Sequence, residues 1–333
     1  VTANKALIAE HGQEILEAAA EKGVQIKFEA AIAGGIPIVK TIKEGLAANR
    51  LEWIVGIING TSYYILSKMS DGVRGLSFSD VLSDAQKLGY AEADPTFDVE
   101  GIDAAHKLTI LSSIAFGVPL GFDTIYTEGI SQITTDDIGY ARELGYVIKH
   151  LGIARVRDDN VEMRVHPCLV PGDHMLAQVK GVMNAVMVGG DASGSTMYYG
   201  AGAGSGPTAS AVVSDVLDIL RESEAKNTGN LGFAHGRLEP KKVVSINEVV
   251  GSTYLRLNVS DQPGVMARIS TILSEYEIGI ESLIQKNNRD DYADIVVITN
   301  AVVEESLNLA VKKLSRTEDV RGDVKRIRVA EFF

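Results

Sequence analysis

Residues 51–69 read LEWIVGIINGTSYYILSKM, and this stretch decides the fold class. An apolar run over Leu51–Ile58 predicts a strand, Asn59-Gly60 predicts a turn, and Thr61–Met69 predicts a helix. Upstream of this stretch, the pattern predicts a helix over Lys5–Gly23, a strand over Val24–Ile32, a tight loop over Ala33–Gly35 and a helix over Ile36–Leu46. This alternation is typical of an α/β sheet with crossover helices.

The middle of the chain follows a different pattern. Ser79–Leu88 predicts a helix capped by Ser79, and an acidic loop leads into a long helix from Asp98 to Phe116. Further along we predict strands over Ala154–Val156, Val161–Val170, Val182–Val188 and Ser195–Tyr199. A glycine-rich run at Gly200–Gly206 then leads into a helix predicted over Pro207–Leu220. The polar residues 222–242 predict a linker.

After the linker the pattern changes once more. Apolar periodicity predicts strands over Thr253–Val259, Ile280–Gln285, Tyr292–Thr299 and Val324–Val329, and helices over Val265–Tyr276 and Glu304–Leu314. Residues Asp261–Gly264 predict a turn. The resulting order is β-α-β-β-α-β, which is the ferredoxin-like arrangement.

Composition narrows the function classes. A chain of 333 residues predicts two or three domains of about 150 residues or fewer. The net charge is −12, and the basic residues form no concentrated patch, so we expect neither nucleic acid nor a membrane as a partner. Cys168 is the single cysteine, which excludes an internal disulfide. Without a signal-peptide pattern or an apolar run of about 18 residues, we expect a cytoplasmic protein.

Residues 89–107, GYAEADPTFDVEGIDAAHK, hold five carboxylates and one lysine. Asp98 is predicted to cap the following helix. Asp103 and Lys107 lie four residues apart and therefore share a helix face, which continues into apolar residues. A partly buried acid–lysine pair can exchange a proton at neutral pH, because burial and a neighbouring carboxylate shift the pKa of an ammonium group in opposite directions. The alternative is an exposed surface salt bridge.

The run from Gly200 to Thr208, GAGAGSGPT, precedes a helix, where bare N–H groups can receive a phosphate or the edge of a cofactor. It does not match G-x-G-x-x-G, because Ser205 and Pro207 interrupt the pattern. The alternative is a loop that lets a helix and a strand pack closely.

Metal sites have weak support in the residues alone. Glu29 and the loop Gly34-Gly35 can form an oxygen cage for a hard cation, or simply a structural turn. The six histidines show no paired spacing, which argues against zinc. His106 is interpreted as structural, since it points away from the face of Lys107.

The chain resembles bacterial monofunctional homoserine dehydrogenases that carry an ACT domain. The resemblance rests on residues 1–5, 28–37, 56–61, 89–107 and 200–215, in family order, and on the tail from Thr253, with DQPGV at 261–265. It implies a remnant of a Rossmann-type nucleotide domain, an α+β catalytic and dimerisation domain with a mixed sheet, and a C-terminal ferredoxin-like ACT domain. The implied activity is the NAD(P)H-dependent reduction of aspartate 4-semialdehyde to homoserine, within threonine, methionine and isoleucine biosynthesis.

The resemblance also implies roles for single residues. Lys107 becomes the proton donor to the aldehyde oxygen, and Asp103 holds the substrate and orients that lysine. Gly89, Glu92 and Asp98 are implied as further substrate contacts, with Gly89 and Glu92 at the amino-acid end.

The cofactor and cation sites are implied in the same way. Lys5 lies between the nicotinamide of NADP or NAD and the substrate, and Gly204 touches the cofactor. Glu29, together with the backbone of Ile32, Gly34 and Ile36, resembles the family's Na+ site. Both cofactors stay open, because the residue that reads the ribose belongs to the Rossmann half that the chain lacks.

The resemblance predicts a domain plan of five segments. These are the end of the nucleotide-binding domain at 1–35, the catalytic and dimerisation domain at 36–199, a return helix at 200–221, a linker at 222–251 and the ACT domain at 252–333. Most of the glycine-bearing Rossmann half is missing from this plan, so we expect the chain alone to bind no NAD(P) and to be inactive.

Two interpretations stay open on the sequence. One is a homoserine dehydrogenase that forms a homodimer or homotetramer through its middle sheet. The apolar run Val182–Val188 is the observation that favours this assembly. The other is an amino-acid-binding or dimerising ACT protein with an inactive enzyme half. The ACT module is expected to bind an end product such as threonine near Asp261–Gly264, or to serve only as a dimer surface.

Overall fold

The computed structural model describes residues 1–71, 76–222, 241–287 and 291–332. In this part of the chain the helices, in chain order, are α1 Lys5–Lys22, α2 Ile38–Lys40, α3 Gly60–Ser70, α4 Phe78–Lys87, α5 Thr96–Val99, α6 Ile102–Phe116, α7 Thr135–Glu143, α8 Ser205–Glu222, α9 Val265–Glu275 and α10 Glu304–Leu314. The strands are β1 Leu51–Ile57, β2 Tyr126–Thr127, β3 Tyr146–Arg157, β4 Asn160–Pro171, β5 Met183–Gly190, β6 Gly194–Ala201, β7 Val250–Gly251, β8 Thr253–Ser260, β9 Ile280–Asn287, β10 Tyr292–Thr299, β11 Val302–Val303 and β12 Lys325–Val329.

The chain divides into two compact units. Unit 1 comprises residues 1–135, 150–166 and 178–244, and unit 2 comprises residues 136–149, 167–177 and 245–333. Most of the predicted linker lies outside the described residues, and the five-segment domain plan stays a prediction.

Unit 1 is built on a mixed sheet. β1 lies between β3 and β5 and pairs antiparallel with both, β5 pairs antiparallel with β6, and β2 runs parallel to β4. One face of this sheet packs against α1 and α6 through side chains such as Ile54, Val186, Ile8 and Leu108, all fully buried. The expected α/β class is therefore confirmed, although the crossover helices do not produce a parallel β1 pairing.

Several predicted elements of unit 1 are confirmed and some are wrong. The first helix ends at Gly23, whose φ of 65° places it in the left-handed region that favours glycine. The strand predicted over Val24–Ile32 is wrong, because the chain turns into a 3₁₀ helix at Glu29–Ala31. The cap predicted at Ser79 is also wrong, since the side chain of Ser77 accepts the N–H of Asp80.

The helix predicted from Asp98 to Phe116 is interrupted. α5 ends at Val99, Gly101 adopts φ 85°, and α6 starts at Ile102. Asp98 therefore lies inside α5 rather than at an N-cap, which corrects the predicted capping role. A side chain on Gly101 would place its Cβ 3.0 Å from the imidazole of His150, so a close approach and the positive φ both require glycine there.

Unit 2 contains the predicted β-α-β-β-α-β module. β12, β8, β10 and β9 pair antiparallel in that order, and α9 and α10 cover one face with a core that includes Leu255, Leu257, Ile295 and Leu307. Side chains alternate along a strand, so Tyr254 and Arg256 point to the opposite face.

The opposite face of that sheet meets α7, an element that the sequence analysis did not predict. Asp137 accepts hydrogen bonds from the Tyr254 hydroxyl at 3.1 Å and from Arg256 Nε at 2.7 Å. The Tyr140 hydroxyl donates to Asp294 at 2.9 Å. Asp137 is 1% exposed, so a buried polar layer joins α7 to the ferredoxin-like sheet.

Candidate active site

Asp103 and Lys107 lie on α6 and form a buried ion pair. Lys107 Nζ donates to Asp103 Oδ2 at 2.7 Å and to the backbone oxygen of Ile58 at 2.8 Å. The side chains are 6% and 12% exposed respectively. Such burial rules out the alternative of an exposed surface salt bridge, because a solvated pair would leave both side chains largely accessible.

Lys5 joins the same carboxylate from the start of α1. Its Nζ lies 3.1 Å from Asp103 Oδ1, so two ammonium groups share one carboxylate. Burial pushes the pKa of Asp103 upward, but Lys107, Lys5 and the hydrogen bond from Asn59 outweigh burial and hold that pKa below its usual range. Asp103 is therefore an anion at neutral pH, and the cluster carries an excess positive charge. A negative charge that develops on a bound oxygen would be stabilised there.

The residue Asn59 after β1 and Ser62 at the start of α3 supply two further partners that the sequence analysis missed. Asn59 caps α3 through its Oδ1, and its Nδ2 donates to Asp103 Oδ2 at 2.8 Å and to Asp98 Oδ1 at 2.7 Å. Ser62 Oγ donates to the backbone oxygen of Asp98 at 2.8 Å. A polar side chain directly after a buried strand and before a helix was the available signal in the sequence.

The predicted amino-acid end of the site lies between α4 and α5. Gly89 and Glu92 are exposed, and Gly89 has φ 75°. The segment is tied to α3 because Thr61 Oγ1 donates to the backbone oxygen of Tyr90 at 2.8 Å. The described residues offer the Glu92 side chain no hydrogen bond or ion pair, which leaves its carboxylate open to a positively charged ligand.

The glycine-rich loops at 33–35 and 200–206 lie against each other. The N–H of Gly35 donates to the backbone oxygen of Ala201 at 2.9 Å, and a Cβ on Gly34 would come within 2.6 Å of the backbone oxygen of Gly202. Close packing therefore explains Gly34, and it explains Gly202 because a Cβ there would lie 2.0 Å from Asn184 Cγ. Gly204, with φ 116°, is exposed and faces only Pro207 within 4 Å, so its surface is open at the start of α8.

Glu29 occupies a buried position with a defined structural task. Its two carboxylate oxygens accept the N–H groups of Val39 and Lys40, each at 2.8 Å, at the start of α2. Its own N–H donates to Asp215 at 2.9 Å. Burial raises the pKa of Glu29 to about 7, although the two backbone hydrogen bonds oppose that shift.

The predicted cation ligands surround this turn without forming a closed set. Ala33 and Gly34 both have positive φ, and the Ile36 backbone oxygen accepts the N–H of Ile38 at 2.7 Å. Within the described part of the chain, no group of three or more histidine, cysteine, aspartate or glutamate side chains is arranged to hold a metal ion. None of the helices in this part of the chain combines the length and the apolar character that spanning a bilayer requires.

Comparisons with known proteins identify two family models that match this chain. Residues 37–217 match the family model described as homoserine dehydrogenase, and residues 253–319 match the ACT domain model. Proteins named homoserine dehydrogenase from Pseudomonas aeruginosa and Helicobacter pylori are 55% and 46% identical over 99% of this chain, which spans 77% and 76% of their lengths.

Solved structures give the same result. A homoserine dehydrogenase from Thiobacillus denitrificans matches with a TM-score of 0.94 and 52% identity, over 99% of this chain and 76% of that one. A hyperthermophilic archaeal homoserine dehydrogenase in complex with NADPH matches with a TM-score of 0.58 and 28% identity, over 66% and 63% of the two chains.

Proposed function

The chain belongs to the homoserine dehydrogenase family, and from that premise we propose that Lys5, Asp103 and Lys107 form the site where aspartate 4-semialdehyde is reduced. The family is an oxidoreductase family of amino-acid biosynthesis that uses NAD(P), and this member carries an ACT domain. The alternative of a regulatory protein with an inactive enzyme half is not favoured. The observation that carries the proposal is the Lys107 ammonium, which is nearly buried and held by Asp103.

The proton transfer follows from that arrangement. NAD(P)H, held beside Lys5 and Gly204, would supply a hydride, with its two electrons, for the aldehyde carbon. The carbonyl π bond breaks, and the oxygen takes a proton from Lys107 Nζ, which gives the primary alcohol of homoserine. Asp103 and the Ile58 carbonyl fix the ammonium in place, and the neutral amine left behind regains its proton from solvent.

Substrate recognition uses the acidic segment before α6. We assign the open Glu92 carboxylate to the substrate ammonium, with the exposed backbone at Gly89 beside it. Asp98 is a substrate contact in the same proposal, and its bond to Asn59 ties it to Asp103.

The cofactor assignment concerns Lys5 and Gly204. The exposed glycine loop at 203–206 has no side-chain bulk at Gly204 and precedes α8, which fits the edge of a nicotinamide or a phosphate. Asn184 supports this fit, because its buried Oδ1 has no hydrogen-bond partner next to Gly202. Both NADP and NAD satisfy these residues.

Sodium is proposed at Glu29 with the backbone oxygens of Ile32, Gly34 and Ile36. The donor chemistry suits a hard ion. The Glu29 oxygens already accept two N–H groups, so a cation would have to use their remaining lone pairs. Thermal unfolding in NaCl against KCl at equal ionic strength measures this, and equal melting temperatures contradict it.

Regulation and assembly complete the proposal. Threonine is the proposed ligand of the ACT domain near Asp261–Gly264, and a calorimetric titration without a heat signal would contradict this proposal.

A homodimer or homotetramer is proposed on family grounds, with light scattering as the measurement. The run Val182–Val188 gives little support to an interface between copies of the chain. Val182 is 41% exposed, but the residues that follow it are mostly buried inside unit 1 and offer no apolar surface to a second copy.

The central test is Lys107→Ala in the complete enzyme. Loss of the proton donor is expected to lower kcat by about 10²–10⁴-fold. The melting temperature is expected to fall while the fold is retained, because Asp103 loses one buried partner but keeps Lys5 and Asn59. Lys87→Ala is the matched control, since Lys87 forms an exposed salt bridge with Asp84 on α4 and is expected to leave turnover unchanged. Normal turnover of the Lys107 variant would overturn the proposal.

A further inference from the structure

His106 is a buried histidine beside the cluster, and the proposed reaction does not use it. It is 2% exposed, follows Asp103 by three residues on α6, and its Nδ1 has no hydrogen-bond partner. An apolar side chain would fill such a position without leaving a buried polar atom unpaired. The retention of an imidazole there calls for a reason other than filling space.

The imidazole lies between two aromatic rings and one carboxylate. Its centroid is 5.4 Å from that of Phe97 and 4.3 Å from that of Phe122, with interplanar angles of 70° and 79°. Its Nε2 lies 3.4 Å from Oε1 of Glu10 on α1. The edge-on geometry is one that aromatic rings favour, and it restricts the orientation of the Phe97 ring, which is 38% exposed.

Phe97 in turn contacts Lys5. The Lys5 ammonium lies 5.5 Å from the centroid of the Phe97 ring, and at the same time 3.1 Å from Asp103. The face of an aromatic ring attracts a cation, so the ring orientation influences where the ammonium sits. Glu10 and Lys5 both belong to α1, and His106 and Asp103 both belong to α6, so two polar contacts join these helices. Phe97 contacts one residue of each helix, Lys5 and His106.

We propose that His106 is a positioning residue for the reaction, which orients the Phe97 ring so that the Lys5 ammonium is held over that ring and against Asp103. The proposal rests on the function assigned to Lys5 above. It adds a chain of contacts from Glu10 through His106 and Phe97 to the reacting centre.

The charges around His106 agree with a neutral imidazole. Burial lowers the pKa of His106, Glu10 and Asp103 oppose that shift, and Lys5 adds to it. A neutral ring next to Lys5 avoids a second positive charge that would repel the ammonium from Phe97.

The test compares His106→Leu, Phe97→Leu and the double variant in the complete enzyme. Each single change is expected to lower kcat/KM by about tenfold, because it releases the ammonium from its position. The double variant is expected to match Phe97→Leu alone, since the imidazole acts through the ring. Losses that multiply in the double variant would overturn the proposal, and so would unchanged kcat/KM in His106→Leu.

Two further variants separate positioning from packing. Phe122→Leu removes the other ring that contacts His106 and is expected to lower the melting temperature while kcat/KM stays within about twofold. His106→Phe keeps an aromatic edge against Phe97 and is expected to retain kcat/KM within about threefold of the wild type. A loss in Phe122→Leu as large as that in His106→Leu would assign the effect to packing.

Lys5→Met distinguishes this inference from the function on which it rests. A large loss of kcat/KM in Lys5→Met with none in His106→Leu overturns the positioning role alone. Unchanged kcat/KM in Lys5→Met overturns the role proposed for Lys5 itself.

Discussion

Asp103 is the residue on which the site is organised. Its Oδ2 accepts from Lys107 and Asn59, and its Oδ1 faces Lys5. A carboxylate with donors on both oxygens keeps its charge despite burial, and this is why its pKa stays low. One residue thus fixes the distance between the two ammonium groups.

The pKa of Glu29 shifts in the opposite direction from that of Asp103, and this shift gives a prediction about stability. Its pKa is raised to about 7, so the folded protein binds that proton more tightly than the unfolded chain. The stabilisation is present below the usual glutamate pKa and is lost as the pH rises toward 7. In Glu29→Gln this dependence is expected to vanish, a difference of up to about 3 kcal/mol in the free energy of unfolding.

Urea denaturation at pH 5 and pH 7.5 in potassium buffers without Na+ measures this dependence, because a cation at Glu29 would itself lower that pKa. The exposed Glu44→Gln serves as the control, because Glu44 lies near the same turn but is accessible to solvent. Parallel pH curves for the wild type and Glu29→Gln would contradict the prediction.

The residues of the site were predictable where spacing alone joined them. Asp103 and Lys107 share a helix face because they are four residues apart, and α6 shows that contact. Asn59 and the Ile58 carbonyl were missed because their contacts bridge 44 and 49 positions of sequence. Such contacts depend on how β1 packs against α6, which local patterns do not specify.

At the scale of elements, Gly101 separates α5 from α6 and thereby places two acids. Asp98 and Asp103 reach the same Asn59 amide because the chain turns at Gly101 rather than continuing as one helix. The sequence analysis predicted a continuous helix here, since a single glycine within a helical pattern does not by itself indicate a break.

Gly101→Ala is therefore expected to be costly. The residue would have to adopt φ 85° with its Cβ against His150, which predicts a loss of about 1–3 kcal/mol in the free energy of unfolding. We also expect a lower kcat/KM, because Asp98 and Asp103 would move relative to each other. Calorimetry and steady-state kinetics measure both effects.

Gly139→Ala provides the matched control. Gly139 lies within α7, and a Cβ there would meet nothing within 4 Å. This substitution is expected to be neutral or to stabilise by up to about 1 kcal/mol. Equal losses for the two glycine variants would argue against the role given to the turn.

At the scale of the molecule, the division into units does not follow the chain order. Unit 2 contains the ferredoxin-like module and also α7, which comes more than 100 residues earlier. Composition and period predicted the module's strands and helices, because each has a strong local pattern. The recruitment of α7 was not predictable, since it depends on buried polar partners such as Asp137 and Arg256.

Asp137→Ala tests that organisation. It removes the anion that faces buried Arg256 and the Tyr254 hydroxyl, and we expect a loss of about 3–5 kcal/mol in the stability of unit 2. Asp136→Ala is the control, because that neighbouring carboxylate is exposed. Equal denaturation midpoints for the two variants would contradict the prediction.

The partners of Asp103 and Lys107 at the end of β1 come from adjacent residues. Ile58 and Asn59 are neighbouring residues that directly follow β1. One short segment therefore holds both the amide that donates to Asp103 and the carbonyl that accepts from Lys107. A bound aldehyde would therefore meet an ammonium group that Asp103 and Ile58 have already oriented when its oxygen gains charge. The orientation of the proton donor thereby depends on the packing between β1 and α6.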